Sequence, residues 1–168
     1  QSGEPFATMD STWRSQSVTG VFIRLLWKQV QRAPGTADSS FDFTVLDREI
    51  EKAVQNGKLY SLGIKAGDDG TPDWIFSADA NGMPRPFGGG GVPRLSLQDS
   101  GEDGDGLFCG QKMDLGSPTH ATYQKHYFDM LTKVGERIRS RADWYRALAY
   151  VKPSGANLIS HETRLPKR

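Results

Sequence analysis

The stretch "GVFIRLLWKQVQRAPGTADSSFDFTVLDREIEKAVQNGKLYSLGIKAG", from Gly20 to Gly67, decides the fold. Its first apolar run, Val21–Trp27, is rich in β-branched and aromatic residues, which predicts a strand buried on both faces. A loop follows, and then a segment at 44–56 with apolar residues at helical spacing. The next apolar run, Lys58–Ile64, predicts a second strand. Strand, helix and strand in this order form a right-handed crossover, so we expect the two strands to be parallel.

The ends of the first helix carry recognisable signals. Thr44 is the expected N-cap, and Asp47 places a negative charge in the first turn. Asn56-Gly57 predicts a left-handed stop, because glycine adopts that conformation without steric cost.

Regular structure returns towards the end of the chain. Ser117-Pro118 opens a predicted helix over 118–140, and Ala147–Lys152 predicts a third buried strand. Between them, about 66–117 is rich in Gly and Asp and predicts a long irregular insertion, with a helical turn beginning at Pro72. The run "VPRLSLQD" within it predicts a short strand. The sequence therefore predicts one α/β domain over 1–168, with parallel strands and outer helices.

Composition excludes several classes of partner. The 21 Lys and Arg residues nearly balance the 20 Asp and Glu residues, so net charge gives no case for nucleic acid or an anionic membrane. No apolar run approaches the length of a membrane span. The lone Cys109 has no second cysteine for a disulfide, and the three histidines lack metal-ligand spacing. The acidic run Asp99–Gly106 is interpreted as a solvated turn, and no cofactor motif is present. The sequence predicts neither a metal nor a cofactor.

Polar and aromatic side chains follow each predicted strand. Ligands of parallel α/β sheets bind where the strands end, and aromatic rings beside carboxylates and amides suit a sugar. Each side chain also has a structural interpretation, as a core residue, a loop anchor or a salt-bridge partner. The candidates for sugar binding are Arg24, Trp27, Asp68, Trp74 and Asn157, with Glu162 as the candidate catalytic carboxylate.

The order of several short motifs resembles glycoside hydrolases of the large (β/α)8-barrel clan that includes β-galactosidases and cellulases. The likeness covers about 20–75 and about 123–166. Its motifs are a strand ending in Arg24 and Trp27, then Asp42-Phe43, Leu46-Asp47, Gly57-Lys58, and Pro72 with Trp74. The run "YVKPSGANLISHETRLP" is similar to the family's fourth strand, which implies Glu162 as the acid/base residue.

The resemblance implies a partial TIM-type barrel of about three to four β/α units. It also implies hydrolysis of a glycosidic bond by a carboxylate acid/base pair. Two departures stand against it. The family has Asn directly before the acid/base Glu, whereas "LISH" separates Asn157 from Glu162 here. A complete barrel needs about 250 residues, and the family's nucleophile lies on a later strand. The alternative is a non-catalytic truncated barrel or a sugar-binding module.

A partial barrel also predicts an assembly. Its sheet has two edges and an open apolar face, which recruit other strands or surfaces. We expect a homodimer that covers this face, or else closure by the segment 66–118 through "VPRLSLQD". The side chains expected to contribute to the open face are Val21, Ile23, Leu25, Leu62, Ile64, Leu148 and Val151.

Overall fold

The strands and helices follow the predicted order, with an added hairpin. The structure is a computed structural model that describes residues 13, 15–67, 70–76, 91–98 and 112–152. The predicted site residues Asp68, Asn157 and Glu162 lie outside these ranges. In chain order the elements are β1 (Gly20–Leu26), α1 (Trp27–Val30), α2 (Thr44–Gln55), β2 (Leu59–Lys65), β3 (Arg94–Gln98), β4 (Lys112–Gly116), α3 (Ala121–Arg139), α4 (Ala142–Ala147) and β5 (Leu148–Lys152), with 3-10 turns at Asp38–Ser40 and Asp73–Ile75.

Among the described residues, the main sheet has three parallel strands in the order β1-β2-β5. The predicted parallel pairing of the first two strands is confirmed, and so is the third strand. Each connection passes through helices, which is how parallel neighbours are joined. All three strands therefore end at the same edge of the sheet.

Helices cover one face of this sheet. Ile23 pairs with Leu62 across β1 and β2, and Leu62 pairs with Val151 of β5. Because strand side chains alternate, these three share a face. Leu62 and Val151 line one groove with Val134 of α3, which identifies this as the helix-covered face. Its core includes Ile50 of α2.

The prediction that these apolar side chains form the open face of the sheet is wrong. All seven side chains named for that face lie on the helix-covered face by register. The opposite face carries Phe22 and Arg24 of β1, which pair with Ser61 and Gly63 of β2. This opposite face carries both polar and apolar side chains, because most apolar residues of each strand pack against the helices.

The ends of the helices differ from the prediction. Thr44 is the first residue of α2 and does not cap it; its backbone N–H donates to Asp42 Oδ1 at 2.9 Å instead. The predicted stop is confirmed, since Gly57 has a φ of 63°. The second long helix begins at Ala121, not at Pro118, with His120 at the N-cap position.

The described parts of the insertion have structure of their own. The 3-10 turn over Asp73–Ile75 follows Pro72, as predicted. The strand predicted within "VPRLSLQD" is β3, but it pairs with β4 in a separate antiparallel sheet. β3 therefore does not close the main sheet.

Charged pairs join the helices to one another. Arg137 of α3 donates to Asp47 of α2 at 3.0 Å, and Arg141 donates to Glu51 at 2.8 Å. Trp144 Nε1 also donates to Glu51. No helix in the described part of the chain is both long and apolar enough to cross a membrane.

Candidate functional site

Trp27 lies at the carboxyl end of β1, as expected, but its side chain is fully buried. Its ring contacts Tyr123 and Tyr127 of α3 edge-on, with ring centres 5.4 and 5.5 Å away. Its indole N–H donates to Gln31 Oε1 at 2.8 Å, and Gln31 in turn donates to the carbonyl of Gly35. Trp27 therefore anchors the loop after β1 to the core, and a ligand cannot stack on its ring.

Trp74 belongs to the same aromatic group and is half-buried. Its indole N–H points at the carbonyl of Gln31 at 3.4 Å, and its ring meets Trp27 at 6.4 Å and His126 at 5.1 Å. Burial, with the nearby Lys125 charge, lowers the pKa of His126. The Trp74 ring therefore lies on the same side of the sheet as α3.

Arg24 lies on the other face of the sheet. It is exposed, and its guanidinium carbon is 5.1 Å from the centre of the Phe22 ring, one pleat earlier on the same face. The sheet therefore separates Arg24 from Trp27 and Trp74. Of the predicted binding residues that the structure describes, the two tryptophans meet and Arg24 does not join them.

The register of the strands places small side chains along the middle of the face that carries Arg24. The middle strand is β2, where Ser61 and Gly63 point to this face and have the smallest side chains of the strand. Larger side chains on the two outer strands rise on either side. We call this strip of the sheet the central trough; its residues are Phe22, Arg24, Ser61, Gly63, Tyr150 and Lys152, of which Ser61 is buried.

The walls of the central trough form two rows. Phe22 and Tyr150 both pair with Ser61, so two aromatic rings flank a hydroxyl. Arg24 and Lys152 both pair with Gly63, so two cations flank the glycine one pleat closer to the strand ends. Since neighbouring strands are about 4.8 Å apart, the backbones of the two walls are about 10 Å apart.

The central trough can bind a small polar molecule with an apolar face. Aromatic rings stack on such a face, and the exposed Arg24 guanidinium donates hydrogen bonds to oxygen atoms. Tyr150 is 58% exposed, which leaves much of its surface available for contact. Sequence reasoning named Arg24 but missed Tyr150 and Lys152. The one available signal was the spacing of Ser61 and Gly63, two small residues on one face of a strand.

The carboxylates described near the strand ends are engaged in ion pairs. Asp42 pairs with Arg32, and Asp73 accepts from Arg94 at 3.0 Å. Hydrogen bonds from Thr44 and then the Arg32 charge hold the pKa of Asp42 below its usual value. Asp42 therefore stays ionised at neutral pH and lacks the raised pKa of a general acid. Within the described ranges there is no group of three or more His, Cys, Asp or Glu that could hold a metal ion.

Comparison of the chain with protein-family models gives no match, and comparison with curated proteins gives none either.

Proposed function

We propose that the chain is a carbohydrate-active protein of the glycoside hydrolase type, with its sugar site in the central trough. The pairing of aromatic rings and cations across three neighbouring strands carries the proposal. Tyr150 and Phe22 supply stacking surfaces, while Arg24 and Lys152 supply donors for sugar oxygens. The resemblance of the strand and helix motifs to glycoside hydrolases is independent support.

The architecture that fits this proposal is a partial TIM-type barrel. Helices cover one face of a parallel sheet, and the central trough lies on the other, which corresponds to the inside of a barrel. The cationic row is close to the carboxyl ends of the strands, where barrel enzymes bind their substrates.

Hydrolysis requires two carboxylates on opposite sides of the glycosidic bond. In the proposed mechanism Glu162 is the acid/base residue. Binding without hydrolysis is the second candidate, and one observation favours it. Asp42 and Asp73, near the strand ends, are held in ion pairs.

Two assays test the proposal and separate the candidates. In the first, wild type and Glu162→Gln are incubated with a panel of aryl glycosides. Hydrolysis by wild type that disappears in Glu162→Gln supports the enzyme. Hydrolysis that survives the substitution assigns the chemistry to another residue.

The second assay measures binding of methyl glycosides by saturation-transfer NMR. Tyr150→Ala removes an exposed ring from the central trough, and Tyr145→Ala removes an equally exposed ring from α4, at 56%. Binding that is lost in Tyr150→Ala and kept in Tyr145→Ala supports the site. If wild type binds and hydrolyses no member of the panel, the proposed function is wrong.

A further inference from the structure

The end of α2 carries a chemically reactive pair of residues. Asn56 is followed directly by Gly57, and both residues are exposed. In such a pair the backbone nitrogen of the glycine can attack the side-chain amide carbon of the asparagine, because glycine has no side chain that shields its nitrogen. A carbon added to Gly57 would meet no other residue within 4 Å apart from its chain neighbours. Sequence and exposure therefore favour loss of the Asn56 amide.

The reaction is deamidation, and its atoms balance with water as the only co-reactant. The Gly57 nitrogen bonds to Cγ of Asn56, the bond from Cγ to Nδ2 breaks, and the displaced amino group leaves as ammonia with the proton of the Gly57 N–H. Water then opens the resulting succinimide ring at either of its carbonyl carbons. The product is an aspartate or an isoaspartate, in which the main chain runs through the former side chain.

The fold engages both reacting groups elsewhere. The side-chain amide of Asn56 donates to the carbonyl of Lys52 at 2.8 Å, and the N–H of Gly57 donates to the carbonyl of Val54 at 3.0 Å. Ring closure also requires the Gly57 nitrogen to be nearly eclipsed with Cβ of Asn56, and the Asn56 ψ of 11° is far from that arrangement. The attack therefore requires a rotation that breaks the last hydrogen bonds of α2.

Contacts on the other side of the pair resist the same rotation. The N–H of Lys58 donates to the carbonyl of Ala53 at 2.9 Å, and β2 begins one residue later. The ammonium of Lys58 donates to the carbonyls of Ser15 and Val18, both at 2.6 Å. The reactive pair is thus held between a helix and a strand, and it reaches the geometry for attack only when the end of α2 opens locally.

We propose that Asn56 is a site of deamidation that the fold restrains, so that the reaction marks chains in which the end of α2 has opened. A carboxylate at this position has no N–H to donate to the carbonyl of Lys52. It also puts a negative charge at the C-terminus of α2, where the helix dipole disfavours it. The modified end of α2 is therefore less stable than the original, and this property is independent of sugar binding.

The test compares deamidation of the full chain in buffer at neutral pH and in guanidinium chloride. Trypsin cuts after Lys52 and Lys58, so mass spectrometry of the fragment 53–58 separates Asn56 from Asn81-Gly82, the other Asn-Gly pair in the sequence. We expect the folded chain to react roughly tenfold more slowly or less, a factor that corresponds to about 1.4 kcal/mol for opening the end of α2.

A matched pair of glycine substitutions tests whether the opening is local. Gln55→Gly removes an exposed side chain from the last turn of α2, and Gln124→Gly makes the same change at an exposed position of α3. Glycine weakens a helix locally, so Gln55→Gly should speed the reaction of the folded chain about fivefold, whereas Gln124→Gly should leave it unchanged. Circular dichroism confirms that each variant folds, and equal rates in guanidinium chloride confirm that the intrinsic reactivity of Asn56 is unaltered.

Four outcomes would overturn the proposal. Equal rates in the folded and the unfolded chain refute the restraint by the fold. No reaction at Asn56 in guanidinium chloride refutes the site itself. Equal acceleration by Gln55→Gly and Gln124→Gly means that the reaction follows global unfolding, and no acceleration by Gln55→Gly means that the end of α2 does not control it.

Discussion

The hydroxyl of Tyr60 joins β2 to α4 and provides the sharpest test of the packing. Its side chain is fully buried, and its hydroxyl donates to the backbone carbonyl of Trp144 at 3.0 Å. The two residues are 84 positions apart in the chain. Tyr60→Phe keeps the buried ring and removes only the donor, so a carbonyl in the protein interior loses its partner.

The expected loss follows from this geometry. Leaving one buried acceptor unsatisfied costs about 1–3 kcal/mol, so we expect about 1.5 kcal/mol of unfolding free energy to be lost. For a chain of this length, that corresponds to a fall in melting temperature of about 3–6 °C. The assay is urea unfolding followed by circular dichroism, in which the midpoint should fall while the slope stays constant.

The matched control is Tyr145→Phe, the same chemical change on an exposed ring of α4. Its effect should stay within about 0.5 kcal/mol, as for most surface substitutions. If Tyr60→Phe is no more destabilising than Tyr145→Phe, the bond between β2 and α4 does not contribute as argued.

Four further predictions follow from the same structure. Trp27→Ala should cost about 3–5 kcal/mol in chemical denaturation because it opens a cavity among three aromatic rings; a loss of sugar binding at unchanged stability would instead make Trp27 a ligand contact. Gly57→Ala should lower the free energy of unfolding by about 1 kcal/mol, because Gly57 has a φ of 63° that alanine adopts only with strain. The control is Gly135→Ala within α3, where only the Arg139 guanidinium is close to the added carbon; it should be neutral or stabilising in the same denaturation experiment. The free energy of unfolding should fall as pH rises from about 10 to about 12, because burial raises the pKa of Tyr60 to about 12, whereas the same tyrosine ionises near pH 10 in the unfolded chain. Urea midpoints measured across this range should fall less in Tyr60→Phe than in wild type. The predicted homodimer is checked by light scattering at micromolar concentration, where a single species near 18.6 kDa would count against it.

The control for the alkaline prediction is the tyrosine on α3. Burial also raises the pKa of Tyr123, so Tyr60→Phe should remove only part of the pH dependence. A stability that is flat between pH 9 and pH 12 in wild type would mean that neither tyrosine is protected from ionisation in the folded chain.

Local patterns in the sequence were enough to predict the parallel crossover. Val21–Trp27, the helix at 44–56 and Lys58–Ile64 are consecutive, and a strand, helix and strand of this length have one favoured arrangement. Gly57 was equally readable, since a glycine after an apolar helical stripe commonly takes the left-handed conformation that ends a helix. These features depend on interactions between residues that are close in the chain, so the spacing of residue types in the sequence is enough to predict them.

Which face of the sheet the helices cover was decided only by tertiary structure. Arg24 and Trp27 are three residues apart and were expected together at one rim. A helix begins at Trp27, where the alternation of β1 stops, and the ring turns into the core against Tyr123, almost a hundred residues later. Arg24 keeps the alternation of the strand and points to the other face. Residues three apart along a strand already point to opposite faces, so the alternation separated Arg24 from Trp27, and the packing of α3 decided which of the two faces became the core.

The central trough likewise depends on pairing between distant strands. Ser61 and Gly63 lie in the middle of this strip only because β1 and β5 both align beside β2, and β5 aligns through a shift in register after Tyr60. That shift sets Tyr150 opposite Ser61 and Lys152 opposite Gly63. Moving a strand by one residue would turn every one of its side chains to the other face. The sequence determined which strands form, whereas the register between strands some ninety residues apart determined which side chains meet.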